Sequence, residues 1–165
     1  MLRIGGKHIF LCFGLKSSKS DFRPMENNLS LQNVINAVRE FHDSFKIPNS
    51  DKPNSNLTED DVMLRYRLMA EENEEYLEAA KAGDMVEIAD ALGDQLYILC
   101  GTILRHGMHD VIEDVFMEIQ ASNMSKLGAD GNPIYREDGK VMKGPNYFKP
   151  DIKGAMEKSQ IKLDI

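Results

Sequence analysis

The chain has no tryptophan, only 7% aromatic residues and just two cysteines among its 165 residues. Two cysteines cannot build a disulfide framework, and Cys12 and Cys100 are too isolated for a zinc signature. Cys100 lies in an apolar helical run, where a reduced, buried thiol is expected. No stretch has the roughly 18 consecutive apolar residues of a membrane span. Positive charge is also short: 20 Lys and Arg against 27 Asp and Glu leave a net charge of −7. That balance argues against a nucleic-acid groove. There is no glycine-rich phosphate loop of the Walker type and no G-x-G-x-x-G. Together these absences suggest a reduced, cytoplasmic protein that binds neither membrane nor nucleic acid.

A content of 42% hydrophobic and 28% charged residues is that of a globular domain with a sizeable core. Residues 1–27 stand apart. Basic residues flank a short apolar run over 9–15, which is compatible with a secretory leader, but the run is short and no small-residue cleavage site follows. A disordered extension, or a start at Met25, fits the change of composition there.

From residue 28 to 127 the pattern is helical. Ser30 caps a first helix on which Leu31, Val34, Ile35, Val38, Phe41 and Phe45 recur at helical spacing. The loop over 47–57 holds two Pro and three Asn. Thr58 caps a second helix with acids in its first turn, ending near Ala82 with Gly83 at the C′ position. Asp84 caps a third helix running to Arg105 or His106, and a fourth is expected from about His109 to Met124. The aliphatic face of the third helix (Ile88, Leu92, Leu96, Leu99 and Ile103) is expected to supply a core. His42, His106 and His109 read as surface or cap residues. Over 128–165 a short hairpin around Glu137, Asp138 and Gly139 and an irregular tail are expected. The result is an all-α bundle of four to five helices, with enough spare apolar surface to predict a homodimer or homotetramer.

Carboxylates crowd residues 71–94. On a helical wheel Leu64, Leu68, Glu72, Glu75 and Ala79 share one stripe, so two acids occupy inward positions. Glu71 lies at the edge of that stripe, while Glu74 and Glu78 point outward. On the third helix Glu87, Asp90 and Asp94 share a second face. The short link between the helices folds them back antiparallel, which sets Glu72 and Glu75 opposite Glu87 and Asp90. Acids facing a bundle interior are costly unless a cation neutralises them. With no histidine in the stretch, oxygen-only ligands point to Mg²⁺, with Mn²⁺ as a substitute. Such an ion polarises phosphate oxygens and lowers the pKa of bound water. A solvated acidic face is the simpler alternative, and Asp84 with Glu87 could be an ordinary capping pair.

Glu71-Glu72-x-x-Glu75 followed by Glu87-x-x-Asp90 resembles the EExxE…ExxD signature of the all-α nucleoside triphosphate pyrophosphohydrolases, which include MazG, the dimeric dUTPases and the phosphoribosyl-ATP pyrophosphohydrolases. The similarity extends through Ser122-Asn-Met-Ser-Lys-Leu-Gly and Asp138-Gly-Lys-Val-Met-Lys-Gly-Pro-Asn-Tyr, and covers about 31–152. The 11 residues between Glu75 and Glu87 are few for that family. The resemblance implies a MazG-like fold and Mg²⁺-dependent hydrolysis of a nucleoside triphosphate to monophosphate and pyrophosphate. It implies metal ligation by Glu72, Glu75, Glu87 and Asp90, with Glu71 a further ligand or the group that orients water. Asn123 and Lys126 match nucleotide-contact positions; Asp94 and Tyr97 are further candidates for the substrate side. House-cleaning of non-standard or excess dNTPs, a phosphoribosyl-ATP pyrophosphohydrolase, and a non-enzymatic metal- or protein-binding module are the competing expectations.

Overall fold

The computed structural model describes residues 30–163, together with a two-residue antiparallel pair, β1 (Leu2–Arg3) and β2 (His8–Ile9). The reading of 1–27 as a leader or extension otherwise lies outside the described residues. The architecture is all-α: α1 (Leu31–Ser44), α2 (Glu59–Ala82), α3 (Met85–Arg105), α4 (Ile112–Met124) and α5 (Ile152–Leu163). No helix is long and apolar enough to cross a membrane among the described residues.

Local chemistry sets the helix ends. Ser30 Oγ accepts the Asn33 amide at 3.2 Å, and Thr58 Oγ1 accepts that of Asp61 at 3.2 Å. Gly83 closes α2 in the left-handed region at φ 69°, where glycine carries no Cβ penalty. Asp84 Oδ1 then accepts the amides of Val86 and Glu87 at 3.0 and 3.2 Å. The α2–α3 reversal is therefore a fixed turn of two residues.

The core joins Ile35 and Val38 of α1 to Cys100, Ile103 and Leu104 of α3, with Leu31, Val34, Met108 and Ile112 packed around them. Burial raises the pKa of the Cys100 thiol. Only one end of the expected α3 face belongs to this core. Leu92, Leu96 and Leu99 remain 44–49% exposed. The reason is length: α1 has 14 residues and covers only the C-terminal part of α3, whose 21 residues continue past it alongside α2. The uncovered leucines, with Tyr66 and Met69 of α2, line an open groove of about 670 Å³.

Two histidines expected at the surface or as caps are buried. His42 shares a 2.7 Å hydrogen bond with Asn49 Oδ1, which ties α1 to the proline-containing loop. Burial, then the charges of Arg65 and Arg105, keep its pKa low. His109 is buried in the turn before α4. That turn also delays α4 to Ile112, since Val111 and Ile112 both donate back to the Met108 carbonyl. The 47–57 loop is strapped to the end of α3: Ser50 N–H donates to Leu104 O at 3.0 Å, and Arg105 Nη1 to Pro48 O at 2.6 Å. Arg105 also pairs with Asp61 at 2.8 Å.

The hairpin forms around an isolated Tyr135–Val141 bridge, with Gly139 at φ 83°. The tail is more ordered than expected. Gly144 N–H donates to Lys126 O, Ser122 Oγ to Phe148 O, and 152–163 is helical rather than irregular. Ala155 and Ser159 bury against α4, where Ser159 Oγ donates to Asp114 Oδ2 at 2.7 Å.

Candidate active site

The two-residue turn fixes which acids face each other. Residues equally distant from Gly83–Asp84 stand level across the antiparallel pair. Gln95 Nε2 reaches the Glu72 carbonyl at 3.2 Å, which confirms the register. Glu72 is therefore level with Gln95, one residue from Asp94; Glu75 is level with Leu92, two residues from Asp90, and Ala79 with Ile88, one residue from Glu87. Ala79 and Ala91 are buried, and their small side chains let the helices approach closely. Asp94, a candidate for the substrate side, is the acid nearest in level to Glu72.

Glu72 is the distinctive group. It is 3% exposed, and its Oε2 is buried without a hydrogen-bond partner. Its pKa is raised to about 7, first by desolvation and then by the negative charges of Asp94, Glu75 and Glu71. An acceptor atom held out of water among like charges is a destabilised arrangement. It is relieved by a proton or a cation.

The other acids line the way out. Glu75, Asp84 and Glu87 border a cleft of about 380 Å³ at the turn end of the helix pair. Glu78 borders its rim too and is exposed, as its outward position predicts. Glu71 and Asp94 are half-buried, and Asp90 is exposed on the same α3 face. Tyr97 lies one turn beyond Asp94, and its phenol pKa is raised by burial, then by Asp94 and Glu40. Asn123 and Lys126 sit at the end of α4 and pair with each other, Lys126 Nζ donating to Asn123 Oδ1 at 2.7 Å. The structure does not join them to the carboxylates.

The donor set fits a hard divalent cation: it is anionic, offers oxygen only, and includes one buried oxygen with no hydrogen-bond partner. It is not a closed cage. Among the described residues no three His, Cys, Asp or Glu side chains stand close enough together to hold an ion as they are. The nearness of Asp94 to Glu72 is legible in the sequence, since Glu72 precedes Gly83 by 11 residues and Asp94 follows Asp84 by 10.

An all-α bundle with paired acids across its central helices is the architecture of the MazG-like pyrophosphohydrolases, and the chain is an enzyme of that class. It belongs to the phosphoribosyl-ATP pyrophosphohydrolase family, whose model matches residues 38–123, more than half of the chain. This assignment sets aside the non-enzymatic module. Among solved structures, the chain is similar to a "putative NTP pyrophosphohydrolase" from Exiguobacterium sp. 255-15, at 28% identity with a TM-score of 0.40. That match covers 80% of this chain and 96% of the other. No curated protein matches the sequence.

Proposed function

We propose that the α2–α3 cleft hydrolyses a nucleoside triphosphate between the α and β phosphates, releasing a monophosphate and pyrophosphate. The observation that carries this reading is the buried, unpartnered Glu72 oxygen among Glu71, Glu75 and Asp94. Glu72, Glu75, Glu87 and Asp90 would hold Mg²⁺, or Mn²⁺ in its place, with Asp94 completing the set. When bound, the ion supplies charge neutralisation for the polyphosphate and a more acidic water.

The chain's own residues do the rest. Glu71, half-exposed beside Glu72, would orient the attacking water and take its proton, or serve as a further ligand. One water is consumed and one anhydride P–O bond breaks; the bridging oxygen leaves with pyrophosphate. Desolvation by the α2–α3 packing strengthens each electrostatic contact in the cleft.

Lys126 and Asn123 lie away from the carboxylates, and the groove beside Leu92, Leu96 and Leu99 is uncovered. A homodimer or homotetramer, in a reducing cytoplasm, accounts for both: a second copy would cover the leucines and could bring its α4 to the cleft. House-cleaning of non-standard or excess dNTPs is the leading biological reading. The family match favours phosphoribosyl-ATP as the second, with the same bond cleaved. Purified protein with Mg²⁺, assayed for pyrophosphate against dNTPs, NTPs and phosphoribosyl-ATP, separates them. Turnover of phosphoribosyl-ATP alone would overturn the house-cleaning reading. Release from none of them, with Mn²⁺ also tried, would overturn the proposal.

A further inference from the structure

We propose that Phe41, Phe45 and Tyr97 form an open stacking platform for the substrate's nucleobase, selecting bases by ring area rather than by a hydrogen-bonded edge. This inference rests on the hydrolytic reading above and adds the part of the substrate that the carboxylates do not contact.

The three rings form one cluster. Phe41 and Phe45 stand 4.4 Å apart between ring centroids, and Phe41 meets Tyr97 edge-on at 5.7 Å. All three are open to solvent: Phe41 is 38% exposed, Phe45 65% and Tyr97 39%. The fold does not need them in that state. The α1 contribution to the core runs through Leu31, Val34, Ile35 and Val38. In the following turn the buried position is taken by His42, which leaves the two phenylalanines at the helix edge.

Their place in the fold points to a nucleotide. Tyr97 follows Asp94 on α3 by three residues, about 4.5 Å along the axis. Its phenol lies within the electrostatic reach of Asp94, the first of the charges that act on Glu72. A ligand stacked on the rings therefore extends its phosphates along α3 toward the acidic cleft. Its base rests on the apolar ring faces, which carry no charge of their own. Ring faces stack on any base, because every base presents a π-surface, and they offer no fixed pattern of donors and acceptors. The larger purine covers more of the platform, so purine triphosphates are bound more tightly than pyrimidine ones.

The test uses the full chain with Mg²⁺ and compares ATP with inorganic tripolyphosphate, which has the anhydride but no base. Phe45→Ala and Phe41→Leu are the variants; Phe45 is the most exposed ring, and circular dichroism checks the fold. The expected result is a fall in kcat/KM for ATP of about 5- to 150-fold, the range of aromatic base stacking, carried by KM. The ratio of ATP to tripolyphosphate turnover, and the preference for purines, should collapse together. Equal losses for both substrates, or no loss for either, would overturn the platform. So would a change in sedimentation of the Phe45 variant, which would make the rings a contact between copies. Adenosine monophosphate titrated into metal-free protein and followed by NMR keeps the two proposals apart. If it binds at these rings while no triphosphate is cleaved, the hydrolytic reading fails and the platform stands. If it fails to bind while tripolyphosphate is cleaved, the platform fails alone.

Discussion

Replacing Glu72 by Gln should inactivate the enzyme and stabilise its metal-free fold, with a pH dependence set by the cleft. An unfolded Glu ionises near 4.5, whereas folded Glu72 holds its proton until about 7. Between those values the folded chain binds more protons than the unfolded one, so stability falls as pH rises. Above pH 7 the penalty is complete. A carboxyl held from 4.5 up to about 7 corresponds to about 3 kcal/mol, which water at the cleft mouth reduces to about 2. The amide in Gln carries no charge and gives the buried Oε2 position a donor facing Asp94, Glu75 and Glu71. In chelator at pH 8, Glu72→Gln should raise the midpoint of thermal unfolding by about 5 °C; at pH 5 the gain should nearly vanish. With Mg²⁺ the order should reverse, because only the wild type gains binding energy from the ion. Equal stability of the two proteins at pH 8, or the same difference at both pH values, would refute the reasoning.

Glu75→Ala and Asp90→Ala should each lower turnover by at least about 100-fold while the fold is retained; Glu74→Ala, on the outward face, should keep wild-type rates in the same pyrophosphate assay. Asp94→Asn should lower the apparent pKa of Glu72 by removing its largest charge neighbour, measurable by carboxyl NMR titration. Gly107→Ala should cost about 3 kcal/mol or more in urea unfolding, because a Cβ at φ 63° would drive into the Lys52 carbonyl. Gly83→Ala, at φ 69° but facing open space, should cost only about 1 kcal/mol. Leu96→Glu, in the uncovered groove, should convert an oligomer to a monomer on light scattering.

Helix boundaries were legible because their chemistry is local: Ser30, Thr58 and Asp84 each accept the amides expected of an N-cap, and Gly83 adopts the left-handed turn. Inward placement of Glu72 followed from the wheel alone. What failed depended on distant packing. Leu92, Leu96 and Leu99 have core periodicity, but nothing in their own helix reveals that α1 ends short of them. His42 is buried because a loop asparagine at position 49 meets it. The helix at 152–163 was hidden by Gly154 and by a weak apolar stripe; it is held by Ser159 and Ala155 against α4. The closeness of Asp94 to Glu72 depends on how α3 packs back along α2, which motif spacing alone does not give.

The most direct test of the acidic cleft is ³¹P NMR of the purified chain with Mg²⁺ and a nucleoside triphosphate. Pyrophosphate and a nucleoside monophosphate rising in equal amounts, and absent when Glu75 is replaced by Ala, is the predicted result. Orthophosphate with a nucleoside diphosphate, or equal turnover by the Glu75 variant, would contradict it.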